Sequence, residues 1–91
     1  MFTTDTFITI TTSQGTSYGT LAALTEYMGE ADWDRLAVLA DEHDDEEWDL
    51  YSPDATVEDL SRFFDGTVTV WSLDEAAERF GWHDGDQAVW A

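Results

Sequence analysis

The sequence predicts one small α+β domain over residues 1–91, a sheet of three to four strands packed with three to four short helices. Three observations lead there. The chain has 91 residues, the size of a single domain. Its 43% hydrophobic content includes five Trp, five Phe and three Tyr, whereas disordered acidic segments are poor in aromatics and cannot offset chain entropy by burial. Segments with strand-like alternation are interspersed with segments of helical period, the order of mixed sheet and helix packing. A chain this short buries only about two-thirds of its unfolded surface, so the core is small.

The elements follow in order. Residues 2–12, FTTDTFITITT, are β-branched and aromatic, and alternate Phe7 and Thr9 with Ile8 and Ile10, which predicts a strand. Ser13-Gln14-Gly15 is a turn signal. Residues 20–28 read as a helix with Thr20 as N-cap, Leu21, Leu24 and Met28 on one face, and Gly29 just past its end. A second helix follows, with Asp32 as N-cap and an apolar stripe of Trp33, Leu36, Ala37 and Ala40. Its last turn carries Asp41 and Glu42, where negative charge opposes the macrodipole. Residues 47–51, EWDLY, alternate as a short strand ended by Pro53 and Asp54.

A helix over 56–64 is announced by Thr56 and Asp59 as a capping box, with Val57, Leu60 and Phe64 inward and Gly66 closing it. TVTVW, 67–71, is a strand with Val68 and Val70 on one side. Residues 72–81 form a helix from Ser72 and Glu75 to Gly81, with Leu73, Ala76, Ala77 and Phe80 as its stripe. The tail has a turn at Asp84-Gly85 and a final edge strand at 87–90. The predicted order is β-α-α-β-α-β-α with this last strand added. Trp33, Trp48 and Trp71 fall at core positions, while Trp82 and Trp90 in the tail either cover a sheet edge or anchor an interface.

Charge is the extreme feature. Twenty-one Asp and Glu face three Arg (Arg35, Arg62, Arg79) and no Lys, a net charge of −18. Nucleic acid and anionic membrane are excluded as direct partners, because both require basic surfaces. A basic protein or multivalent cations remain as counterparts. Cysteine is absent, which removes disulfides, thiolate metal sites and cysteine nucleophiles. No apolar run approaches the roughly 20 residues that span a bilayer, and MFTTDTFITI lacks the basic start of a signal peptide. A cytoplasmic location is expected.

Residues 41–49, DEHDDEEWD, concentrate seven carboxylates around His43 and Trp48. Read as a calcium loop from Asp41, the run has Glu46 where glycine belongs and Ser52 where the bidentate Glu belongs. His43 and His83 lie forty residues apart, so they read as solvent-facing or loop residues rather than zinc ligands. No nucleophile elbow, dinucleotide fingerprint or phosphate loop occurs. A non-enzymatic protein without cofactor or metal is expected.

The carboxylates recur through Glu30, Asp32 and Asp34, the 41–49 run, Asp54, Glu58 and Asp59, then Asp74, Glu75 and Glu78, then Asp84 and Asp86. With apolar positions committed to a core, these must coat the exterior. Duplex DNA carries one charge per roughly 1.7 Å of axis, so eighteen charges match about 30 Å, or about nine base pairs. Small size, extreme acidity, many aromatics and the lack of catalytic motifs together resemble the acidic DNA-mimic inhibitors of phages and mobile elements, the anti-CRISPR and anti-restriction type. The resemblance is one of composition over the whole chain, carried by no motif. It implies binding to a basic nucleic-acid-binding protein, such as a CRISPR effector at its PAM-reading channel or a restriction complex. The expected partner-binding residues are Asp32, Asp34, Asp41, Glu42, Asp44, Asp45, Glu46, Glu47, Asp49, Asp54, Glu58 and Asp59. Two other readings fit the charge: an immunity or antitoxin-type protein that neutralises a basic toxin or nuclease, and a domain adapted to a high-salt cytoplasm.

Overall fold

Strand β1, Phe7–Thr12, is the centre of the fold. The computed structural model describes all 91 residues and places β1 between two antiparallel neighbours in the order β2-β1-β3. Alternation sends Ile8 and Ile10 to one face and Phe7 and Thr9 to the other, and all four are buried because both faces are covered. The predicted start at residue 2 is corrected to Phe7. Thr6 Oγ1 accepts from the Thr3 N–H and Thr3 Oγ1 from the Asp5 N–H, local bonds that hold the preceding residues in a turn.

A two-residue turn at Ser13-Gln14 leads into β2, Gly15–Thr20, paired from Thr12↔Gly15 to Phe7↔Thr20. This strand was not among the predicted elements. Thr20 then caps α1, its Oγ1 accepting from the Ala23 N–H at 3.2 Å. Helix α1 is only Leu21–Leu24, because the Thr25 hydroxyl donates back to the Leu21 carbonyl at 2.6 Å and the chain turns. Gly29 does not end this helix but begins the next. Helix α2 spans Glu30–Glu42, and Asp32 is its third residue rather than its N-cap, accepting from the Gly29 N–H at 2.9 Å.

The predicted stripe of α2 is also corrected. Leu39 and Ala40 are buried and Leu36 is half-buried, but Ala37 and Trp33 face solvent. Only the C-terminal half of α2 lies on the core. Arg35 Nη1 donates to the Phe63 carbonyl and holds α2 to the next helix.

Residues 47–51 do not form a strand. Asp49 Oδ1 accepts from the Tyr51 N–H and the Asp49 N–H donates to Ser52 Oγ, so tight local turns replace the extended backbone. Trp48 and Leu50 are nevertheless buried. Helix α3, Val57–Phe64, begins with the expected Thr56–Asp59 capping box and buries Leu60 and Phe63, with Phe64 half-buried and Val57 exposed. Gly66 follows under close constraint: a Cβ there would lie 2.8 Å from Ile10 Cγ2 and 2.9 Å from Thr12 Cγ2.

Strand β3, Thr67–Trp71, pairs with β1 from Phe7↔Trp71 to Thr11↔Thr67. Val68 is buried, while Val70, further along this outer edge, is half-exposed. Helix α4, Leu73–Phe80, starts at the Ser72 cap and ends at Gly81 in the left-handed region. It buries Ala76 and half-buries Phe80, and leaves Leu73 and Ala77 outside. The final strand is reduced to one bridge, Tyr18↔Val89, with reciprocal N–H···O bonds of 2.9 Å.

The sheet thus separates two cores. Ile8, Ile10 and Val68 pack with Leu21, Leu24, Leu39, Trp48, Leu50, Leu60 and Phe63 on one face. Phe7, Ala76 and Trp82 pack with Tyr18, Phe80 and Trp71 on the other. The second core is mostly aromatic, with Phe7 5.4 Å from Phe80 and 5.3 Å from Trp82. Such ring pairs contribute about 0.5–1.5 kcal/mol each beyond area burial. Thr9 is buried on this face because its hydroxyl accepts from Trp71 Nε1. Of the three tryptophans expected in the core, Trp48 is buried, Trp71 is half-buried and Trp33 is 58% exposed. No helix is long and apolar enough to cross a membrane.

Candidate functional site

The acidic run begins where α2 ends. The Asp44 N–H donates to the Asp41 carbonyl and the Asp45 N–H to the Ala40 carbonyl, the paired bonds of a Schellman motif. The motif needs a left-handed residue, and Asp44 supplies it at φ +53°. Asp45 Oδ1 then accepts from the Glu47 N–H, and the Trp48 N–H donates to the Asp45 carbonyl. Trp48 and Leu50 plunge into the core while Asp44, Asp45, Glu46, Glu47 and Asp49 stay exposed. The loop therefore alternates apolar anchors with displayed carboxylates.

A knot of side chains ties this loop to α3. The His43 ring stacks on the Trp48 indole at 4.5 Å and 9°. Its Nδ1 lies 3.1 Å from Asp54 Oδ2 and its Nε2 lies 3.1 Å from Asp59 Oδ2. Only the imidazolium donates from both nitrogens. The hydrogen bond to Asp59, opposed by partial desolvation and helped by the charges of Asp59 and Asp54, raises the His43 pKa. Trp48 Nε1 donates to Asp54 Oδ1 at 3.0 Å. Asp59 Oδ2 also accepts from the Thr56 N–H and hydroxyl. Burial works to raise the Asp59 pKa, but the bonds from Thr56 and His43 together hold it below the usual range. Beside the knot, Arg62 on α3 pairs with Glu42 on α2, and this hydrogen bond lowers the Glu42 pKa.

His43 is therefore not the solvent-facing residue its position suggests. His83 is exposed, as expected. The His43 cluster is closed on itself by hydrogen bonds, and no group of three or more His, Cys, Asp or Glu side chains is arranged to hold a metal ion.

The twelve carboxylates expected to bind a partner divide into groups. Asp34 and Asp41 are exposed and seven residues apart on α2, about 10 Å along its axis. Asp44, Asp45, Glu46, Glu47 and Asp49 are exposed on the loop, and Glu58 is exposed on the first turn of α3. Asp32 is half-buried, its carboxylate turned back to the Gly29 N–H at the start of α2. Glu42 and Asp54 are exposed but engaged with Arg62, His43 and Trp48. Asp59 is 7% exposed, and its Oδ2 accepts from His43 and from the Thr56 N–H and hydroxyl, which holds the knot together. Of the twelve it is the one buried carboxylate, set in the capping box rather than on the open face.

Negative charge continues around the molecule. A cleft of about 470 Å³ between α1 and the tail is rimmed by Asp5, Glu26, Asp84 and Asp86. Each arginine is engaged with its own chain: Arg35 on the Phe63 carbonyl, Arg62 on Glu42, and Arg79 over the Trp71 ring at 5.1 Å. Sequence reasoning missed the exposure of two aromatics flanking the α1–α2 connection, Trp33 in α2 and the 87% exposed Tyr27 before it. Comparison with family models, curated proteins and solved structures returns no match to this chain.

Proposed function

We propose that this chain is a non-enzymatic inhibitor that occupies the basic nucleic-acid-binding groove of a protein partner and presents carboxylates in place of duplex phosphates. The observation that carries the reading is the one-signed exterior on a braced scaffold. The long axis measures 38 Å. A duplex of that length carries about 22 charges at one per roughly 1.7 Å, against a net −18 here. Only one arginine, Arg62, pairs with a carboxylate, Glu42, while Arg35 and Arg79 meet a carbonyl and an indole, so most of the carboxylates act as a field rather than as one half of an arginine ion pair. The His43 knot and the Schellman turn brace the densest part of that field. Association with such a partner is electrostatically steered, fast and sensitive to salt. The PAM-reading channel of a CRISPR effector and the DNA groove of a restriction complex are targets of the required kind.

The test is capture of a basic DNA-binding protein from host lysate at low salt with release at high salt, followed by gel-shift competition against duplex DNA. Changing Asp44 and Asp45 to Asn and Glu46 and Glu47 to Gln is expected to weaken competition while leaving the circular dichroism spectrum unchanged. Undiminished competition by this variant rejects the 41–49 face. A chain that protects against one cognate toxin without competing with DNA is an immunity protein instead. Folding only in molar salt would assign the charge to salt adaptation.

A further inference from the structure

Trp33 stands apart from most of the other tryptophans. Trp48 stacks on His43, Trp71 carries Arg79, and Trp82 packs on Phe7 and Tyr18. Trp33 has no ring or cation partner in the chain and is 58% exposed. It borders a groove of about 170 Å³ whose walls are Met28, Trp33, Leu36, Leu50, Tyr51 and Asp49. The floor is apolar, yet Asp49 sits in the wall and Glu30 lies one turn before Trp33 on the same side of α2. A solvating acidic coat does not account for an unpartnered indole over an apolar groove. Exposed apolar patches with polar rims mark interaction sites, and tryptophan is enriched where such sites carry their energy.

The rim decides what fits. A purely apolar ligand would strip water from Asp49 without compensation, and an anionic ligand would be repelled by the −18 field. We propose that the groove receives an arginine of a basic protein partner, borne on a segment that also carries an apolar residue. The guanidinium stacks on the Trp33 indole and donates to the Asp49 carboxylate, and the apolar neighbour covers Met28, Leu36 and Leu50. Arginine suits this better than lysine because its planar fork both stacks and bonds a carboxylate. Arg79 over Trp71 shows the same pairing within this chain. The inference rests on the reading of the partner as a basic protein. It adds a specific anchor to the general field.

The probe is a capped synthetic peptide with an Arg-Leu-Arg core, titrated into the ¹⁵N-labelled full chain and followed by NMR. Saturable movement is expected for the Trp33 indole and for Met28, Leu36 and Tyr51. Trp33→Ala and Asp49→Asn are each expected to lower affinity about tenfold. Neither is expected to unfold the chain, since Trp33 is exposed and Asn keeps an acceptor for the Tyr51 N–H. A peptide with citrulline for arginine is expected to lose the binding. Equal binding by Trp33→Ala, equal binding by the citrulline peptide, or shifts spread evenly to Asp5, Asp84 and Asp86 overturns the proposal. If Trp33→Ala competes with DNA as well as the parent while the four-carboxylate variant does not, the groove is rejected and duplex mimicry stands. If the peptide seats in the groove and the chain never competes with DNA, mimicry is rejected and the groove stands.

Discussion

Asp44 gives the most direct measure of whether charge is kept here against stability. It occupies the left-handed position that ends α2, at φ +53°, where glycine is the usual residue. It also places a carboxylate at a helix C-terminus, beside Asp41 and Asp45. Replacing Asp44 with Gly changes three terms. Relief of left-handed strain returns about 1 kcal/mol, the low end of the range because Asp tolerates this region better than most residues. Removing the charge from the negative end of the helix returns about 0.3–1 kcal/mol. The extra freedom of glycine in the unfolded chain takes back about 0.4–1 kcal/mol. The net is a stabilisation of about 1 kcal/mol, or a rise in Tm of about 4–8 °C for a domain of this size.

Thermal melts of Asp44→Gly, Asp44→Asn and Asp44→Ala in low salt separate the terms. Asn removes the charge and keeps tolerance of the left-handed backbone, so it is expected to give about half the gain. Ala removes the charge but keeps the Cβ without the polar side chain that lets Asp and Asn tolerate the left-handed region, and is expected to fall below Asn. If Ala matches Gly, the strain assignment is wrong. If Asn melts no higher than the parent, the macrodipole conflict is absent. Asp65 holds the equivalent position after α3, at φ +55°, and the same series applies there.

The remaining predictions concern the knot, the close-packed glycine and the charge. The His43 pKa is raised in the folded state, so its contribution to stability is full below the unfolded value near 6.5 and is lost as pH rises through the folded pKa. Tm is expected to fall as pH climbs from about 6 to 8. His43→Gln is expected to flatten that limb, and an unchanged slope in the variant would remove His43 as its cause. Asp59 and Glu42 are lowered, so their contributions exist above their unfolded values and vanish as pH falls through their folded ones. Gly66→Ala is expected to cost about 2 kcal/mol, because contacts of 2.8–2.9 Å on β1 outweigh the entropy gain of alanine; an unchanged denaturation midpoint would contradict the close approach. Raising ionic strength from about 0.01 M to 0.1 M shortens the screening length from about 30 Å to 10 Å, so Tm is expected to rise, and a flat salt profile would show that self-repulsion is not felt.

What could be read from the sequence was whatever local chemistry specifies. Thr20, the Thr56–Asp59 pair, Ser72 and Gly81 all cap helices as expected, because each bond reaches only three to five residues along the chain, although the Glu75 carboxylate does not return a bond to the Ser72 N–H to complete its capping box. Strand β2 could not be read that way. Its residues, GTSYGT, mix strand-favouring Thr and Tyr with Gly and Ser that weaken the signal, and pairing with β1 throughout holds them extended. EWDLY misled for the opposite reason: its alternating burial is real, but Asx turns produce it without a ladder. The exposed carboxylates of the 41–49 run were visible in composition. The His43 knot was not, since its partners Asp54 and Asp59 lie 11 and 16 residues away with no linear spacing to betray them. Trp33 was misassigned because helical period shows which residues share a face and not how far along the helix the core extends.

The placement of the few cations bears on why the exterior is so acidic. A chain with 21 carboxylates and only three arginines gains most local relief by spreading those arginines among the densest carboxylates. Only one of the three is placed that way. Arg35 is turned to a backbone carbonyl and Arg79 lies over an indole; only Arg62 meets a carboxylate, and it joins two helices. Asp44–Glu47 are left with no arginine, beside a knot whose histidine is already bonded to two other carboxylates. Surface ion pairs contribute little to stability, so their scarcity is tolerable. Its consequence for the field is larger, because each exposed pair would cancel one charge of the face a basic partner meets. Placing lysine at exposed sites within the run, as in Glu46→Lys or Glu47→Lys, is therefore expected to leave the fold intact and to reduce the association rate with a basic partner more than the dissociation rate changes. Stopped-flow association at two salt concentrations measures this, and an effect confined to dissociation would mean that contact geometry, not the field, governs binding.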